Sequence, residues 1–236
     1  MPDFIDNHIF VTGPEKDLGT FRQSHFACNK RTGRVEFDLG SIVPMPDVLR
    51  DIEGDSESDL ALLALGADLD QTADPWSLTF DRVREFDWVK AAGIRSRQEL
   101  LAHLNERTPA AVSAARKRVA AFQQTGYHDG HVWRLANWGV KWSPTSTFIV
   151  AQTPELLEFG FETPWCFPEP AFRRLGLIYP TLCFDITAAN PDLGIGIQGH
   201  VLGDEVRLER MSMADIYDGC AGTSRFDETH EEEAPP

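Results

Sequence analysis

At 236 residues, 42% hydrophobic and 25% charged, the chain has the make-up of a globular protein with room for one large domain or two small ones. Its formal net charge of -15 argues against holding a nucleic-acid backbone, which requires a positive surface. No apolar run nears the ~20 residues of a bilayer span, and Met1-Pro2-Asp3-Phe4 lacks a basic-then-apolar leader pattern, so a cytoplasmic protein with no membrane partner is expected.

The charge is unevenly placed. Residues 81 to 153 carry 11 Lys and Arg against 6 Asp and Glu, and both flanking stretches are strongly acidic. The four cysteines, Cys28, Cys166, Cys183 and Cys220, are far apart with no C-x-x-C pair. Reduced thiols are expected, rather than a disulfide framework or a cysteine zinc site.

In chain order, His8 to Pro14 is a short apolar run closed by Gly13-Pro14, which predicts a strand, and a helix follows from Glu15 to Phe26. Val35 to Leu39 alternates at period two, as a half-buried strand does, and the prolines of Ser41 to Pro46 lead the chain out of the sheet. Asp47 to Asp74 reads as a solvated acidic loop. Asp55-Ser56-Glu57-Ser58-Asp59 resembles the start of a calcium loop, but Leu60 and Gly66 replace its required glycine and glutamate.

From Pro75 to Gly126 the pattern is helical. Ser96 with Glu99 forms a capping box, Thr108-Pro109 supplies an N-cap with proline at the first position, and Val112, Ala115, Val119 and Phe122 share one face. Arg116-Lys117-Arg118 beside that stripe reads as a solvated face before it reads as a DNA contact. His128-Asp129-Gly130-His131 reads as a surface turn before it reads as a metal site. Gly194-Ile195-Gly196-Ile197-Gln198-Gly199 matches G-x-G-x-x-G, but strand rather than helix follows it, so hairpin packing is expected in place of a dinucleotide. No cofactor and no metal is expected.

Thr147 to Ala151 and Leu157 to Phe161 predict an antiparallel hairpin about Thr153-Pro154. An even loop places Phe148 and Val150 on the face of Leu157, Phe159 and Phe161, and it brings Trp142 to Trp165 at the open end. Pro168-Glu169-Pro170 opens a helix, Thr181 to Thr187 makes a strand, and a last strand pair spans Ile195 to Val206. Beyond Asp215 the chain is a polar acidic tail. The order implies an α+β, ferredoxin-like antiparallel sheet with helices on one face and an inserted helical segment. The expected parts are 1–74 (strands and acidic loop of the sheet domain), 75–130 (helical insertion), 131–214 (C-terminal sheet part) and 215–236 (tail).

Asn137-Trp138-Gly139-Val140-Lys141-Trp142 resembles the N-W-G-T-K-W block of the YubB-type ferredoxin-like proteins of phages and plasmids. Phe161-Glu162-Thr163-Pro164-Trp165 with Pro168-Glu169-Pro170 is similar to that family's F-x-T-x-W-x-P-P segment, and Asn7, Thr12-Gly13-Pro14 and Ile42 to Pro46 match its opening pattern. Phe4 and Ile5 stand where the family has tryptophan and cysteine, and Ala189 to Gly194 departs from its glutamate-x-glycine. The resemblance implies a fold and a mobile-element origin, with no established activity.

The site residues are therefore Asn137, Trp138, Lys141, Trp142, Glu162 and Trp165: aromatic walls with a few polar groups, as in a groove for a host protein or small-molecule ligand. The structural alternative is a capped sheet end with Lys141 and Glu162 as an exposed ion pair. The leading expectation is an accessory protein that binds a partner at this end. The alternative is an enzyme acting on a nucleotide or small metabolite through Lys141 and Glu162.

Overall fold

The structure is a computed structural model that describes residues 3–30, 33–66, 78–190, 192 and 194–212. The elements, in order, are β1 (Phe4–Thr12), α1 (Glu15–His25), β2 (Phe26–Cys28), β3 (Val35–Phe37), α2 (Leu39–Ile42), α3 (Ser56–Ala64), α4 (Phe80–Arg84), α5 (Asp87–Ala91), α6 (Arg97–Arg107), α7 (Pro109–Thr125) and α8 (Gly130–Asn137). They continue with β4 (Thr145–Gln152), β5 (Leu156–Pro164), α9 (Glu169–Ile178), β6 (Cys183–Asn190), β7 (Ile195–Leu202) and β8 (Glu205–Ser212). The chain divides into two compact units, Met1–Val43 with Trp138–Pro236, and Pro44–Asn137. The helical unit is thus wider than the expected 75–130, because α3 packs on α6 and α7 and α8 falls on its side of the division. The acidic tail expected at 215–236 lies outside the described residues. Among the described residues, no helix is long and apolar enough to cross a membrane.

The first unit is built on a six-stranded sheet of order β4-β5-β1-β6-β7-β8 in which every neighbour is antiparallel. Period-two patterning decides its faces. Ile5, Ile9 and Val11 of β1, Phe159 and Phe161 of β5, and Phe184 and Ile186 of β6 point to one side and are buried. Helix α1 lays Leu18, Phe21 and His25 on that side, and α9 contributes Phe172 and Leu175. Phe21 meets Phe159 and Phe184 at centroid distances of 6.2 and 5.4 Å, and Phe172 stacks on Phe161 at 6.3 Å. Val35–Phe37 is a strand, but it pairs with β2 in a separate two-stranded sheet.

The β4–β5 hairpin departs from the expected facing. Thr145 opposes Glu162 and Gln152 opposes Leu157, as an even loop requires, yet two bulges shift the middle so that Phe148 opposes Gly160 and Ile149 opposes Phe159. Phe148 and Val150 therefore lie on the outer face, 53% and 55% exposed. The cause is local: Gly160 leaves an empty position where the Phe148 ring rests, since a Cβ there would come within 2.3 Å of it. On the inner face, Thr147 accepts a 3.1 Å hydrogen bond from the Phe37 amide. In β7, Gly199 has Arg207 O at 1.8 Å from any added Cβ, so close strand packing accounts for this glycine of the G-x-G-x-x-G run.

In the second unit the expected acidic loop is partly helical: Asp55 caps α3 in a capping box with Ser58. The box of Ser96 and Glu99 opens α6. Thr108 makes no cap bond, because its hydroxyl donates back to Leu104 O instead. The basic run is not a uniform solvated face. Arg118 is 2% exposed and donates to Ser58 Oγ, Asp59 Oδ1 and Asp129 Oδ2 at 2.9, 2.7 and 2.9 Å. Asp129 also accepts the Val132 amide at the start of α8, which gives the His128 to His131 turn a structural task. Replacing Arg118 by Ala leaves Asp129 buried without its cation and is expected to cost about 3–5 kcal/mol, whereas the exposed Arg116→Ala stays within about 0.5 kcal/mol. Urea unfolding of the two variants checks the contrast.

His25 links α1 to α2 and to the end of α9. The Ser41 hydroxyl donates to Asp38 O at 2.6 Å, so His25 Nδ1 donates to Ser41 Oγ at 2.7 Å and Nε2 accepts from the Tyr179 hydroxyl at 3.0 Å. Burial lowers the imidazole pKa from 6.5 to about 4, opposed in part by Asp38. The folded state therefore favours the neutral ring, and this contribution is full above pH 6.5 and lost as pH falls toward 4. Guanidinium unfolding at pH 7 and pH 4.5 should show the wild type losing about 2–3 kcal/mol more than His25→Gln.

Candidate functional site

The two tryptophan motifs meet at the end of the sheet away from the Thr153-Pro154 turn. Each residue of the first motif has a separate task. Asn137 closes its own helix, its Nδ2 donating to Trp133 O at 2.9 Å, and it belongs to the helical unit. Trp138 is buried and its Nε1 donates to Val43 O at 2.8 Å. Gly139 takes φ +84°, and a Cβ there would come within 2.5 Å of Pro170 Cδ, so the motif packs directly on the proline pair that opens α9. Val140 is fully buried.

Lys141 and Trp142 face the second motif. The Trp142 and Trp165 rings are 5.5 Å apart at 58°, and Lys141 Nζ lies 5.5 Å from the first centroid and 5.4 Å from the second. This is cation–π distance to both rings. The contact expected between Trp142 and Trp165 is present, although β4 is bulged beneath it.

In the second motif, Phe161 belongs to the core. Thr163 is buried, donates to Cys166 O at 2.8 Å and accepts from Asn7 Nδ2 at 2.8 Å. Asn7 Nδ2 also lies 3.0 Å from Ile5 O and 3.1 Å from Phe161 O, so the opening asparagine locks the strand that carries the motif. Trp165 follows at φ +62°, the centre of a three-residue turn in which the Cys166 amide donates to Pro164 O at 2.8 Å. Such γ-turns are rare and strained. The Trp165 amide is held by Asp3 O at 2.9 Å, and its side chain is 46% exposed.

Glu162 is engaged by its own sheet: it accepts from Ser146 Oγ at 2.8 Å and from Thr145 Oγ1 at 3.4 Å. The Lys141–Glu162 ion pair of the structural alternative gives way to these bonds: Lys141 lies over the rings while Glu162 projects from β5 between β4 and β1. Across β1, Asp6 opposes Glu162, and burial together with that negative neighbour raises the Asp6 pKa. Burial also raises the Cys166 thiol pKa, and its Sγ donates to Gly139 O at 2.9 Å, which ties the two motifs together. The sequence marks Cys166 only as a reduced thiol, Pro170 only as part of a helix start and Asn7 only through the resemblance, so it does not foretell their contacts with the two motifs. The adjacency of Cys166 to Trp165, and Gly139 within the first motif, are the signals that bear on them.

No family model matches the chain, and no curated protein matches it. Among solved structures it is similar to the protein api92 from Yersinia pseudotuberculosis, of the family DUF1281, with 14% identity over 90% of this chain and 99% of that one and a TM-score of 0.44.

Gly139→Ala must accommodate both a left-handed backbone and a clash with Pro170, so a loss of about 2–4 kcal/mol is expected. Thermal melting beside Gly194→Ala, where a Cβ meets none of the described residues within 4 Å, separates the steric cost from the shared backbone cost.

Proposed function

We propose that the chain is a binding protein of the accessory kind carried by phages and plasmids, and that it takes a host protein or small ligand on the sheet end formed by Lys141, Trp142 and Trp165. The observation that carries this reading is Trp165 itself. A large indole is left 46% exposed on a left-handed backbone, a conformation that costs about 1–3 kcal/mol. A glycine would hold that backbone at lower cost, so an indole kept there with nearly half its surface exposed supports a use for the exposed face. Recognition is such a use, since a fixed indole beside a second ring and a cation supplies apolar area, a donor and little residual entropy to lose.

The same reading takes the first unit as ferredoxin-like. The order β4-β5-β1-β6, with α1 following β1 and α9 following β5, supports a split β-α-β arrangement to which β7 and β8 add a further hairpin. The likeness of the Asn137–Trp142 and Phe161–Trp165 blocks to the YubB-type proteins supports the mobile-element origin.

The test reads tryptophan emission during a screen of nucleotides and metabolites, together with pull-downs from a host lysate. Trp165→Gly relieves the backbone strain and should leave melting unchanged or raise it by a few degrees. A ligand that shifts emission in the wild type, or a partner it retains, should be lost in Trp165→Gly and in Lys141→Ala. The proposal fails if every ligand and partner found treats these variants as it treats the wild type.

A further inference from the structure

At the opposite end of the sheet, a recess of about 720 Å3 opens between α1, the β2–β3 hairpin and the β4–β5 turn. Its walls are mainly apolar, with Leu18, Phe26, Ile149 and Leu157 among them. That size and lining suit a small molecule. A second recess of about 510 Å3, lined by Glu155 among others, adjoins it through Glu15 and Pro154.

One stripe of α1 runs along the recess, and its residues are ordered. Glu15 stands at the start, Gly19 in the middle and Arg22 near the end. Seven residues of helix set the backbone positions of the two charged residues about 10 Å apart along the axis. Arg22 is exposed and makes no ion pair among the described residues. Glycine is disfavoured inside a helix, and packing among the described residues does not require it at this position: a Cβ on Gly19 would meet none of them within 4 Å. The bare position widens the floor of the recess midway between a cation and an acid.

We propose that this recess binds a free single-chain amphiphile with an anionic head. The head meets Arg22, the apolar body lies over Gly19 against Ile149 and Leu157, and the chain ends short of Glu15. Glu15 and Glu155 at the far end repel a second negative group, so the site selects a monocarboxylate over a dicarboxylate of the same length.

Octanoate is the probe, titrated calorimetrically into the full chain, with suberate and octylamine as comparison ligands. Octanoate should bind at least tenfold more tightly than either comparison, a difference of about 1.4 kcal/mol. Gly19→Leu fills the floor and improves the helix, so it should melt at or above the wild-type temperature yet bind octanoate at least tenfold more weakly. Arg22→Gln should weaken binding by about tenfold at unchanged melting temperature. The proposal is overturned if octanoate at millimolar concentration gives no binding, if Gly19→Leu binds as the wild type does, or if octylamine or suberate matches octanoate. Silence of octanoate would return the recess to a peptide segment or to solvent.

Discussion

Phe159 lies where the sheet meets the helix that follows its first strand. Its ring is within 5.0 Å of Phe26, 5.2 Å of Phe37, 5.9 Å of Phe161 and 6.2 Å of Phe21, so three segments of chain close on one strand position. Burying such rings on a single face favours the fold by about 2–3 kcal/mol each relative to leaving them exposed. The same burial holds β5 to one facing. β4 must then adjust to β5, and its two bulges are that adjustment: the outer face takes Phe148 over Gly160 so that the inner face can keep Phe159 against the helix.

Much of the sheet could be read from the residues, because strand period and capping chemistry are local. β1, α1, the hairpin, α9 and the box at Ser96 all announce themselves within a dozen residues. The bulged register did not, since the signal is the absence of a side chain at Gly160, which periodicity counts as neutral. Arg118 is a second case. Its run of three basic residues looks solvated, and its partners Ser58, Asp59 and Asp129 sit in other segments, so only the tertiary contact reveals the buried network. The extent of the helical unit was missed for a related reason: the capping chemistry of α3 lies in an acidic stretch whose composition imitates a loop.

The tryptophan block was legible as a place, while its division of labour was not. Trp138 and Gly139 serve packing, Asn137 ends a helix, and Glu162 is taken up by neighbouring hydroxyls. What meets at the sheet end is narrower than the six residues grouped by sequence: two indoles, with the Lys141 ammonium at cation–π distance from both. A ring in contact with solvent on one side and a cation on the other keeps its orientation without burial, which is the property a preorganised contact surface needs.

The hydrogen bond from Trp138 Nε1 to Val43 O has a consequence for how the chain is assembled. Its two ends are 95 residues apart, and they are the points at which the backbone leaves the sheet unit and returns to it. Departure and return are fastened to each other by the sheet unit's own atoms. A segment held at such a closed neck can vary in length, or be exchanged for another, while the strands on either side keep their partners. The indole thus closes the sheet unit on itself at the points where the chain departs and returns.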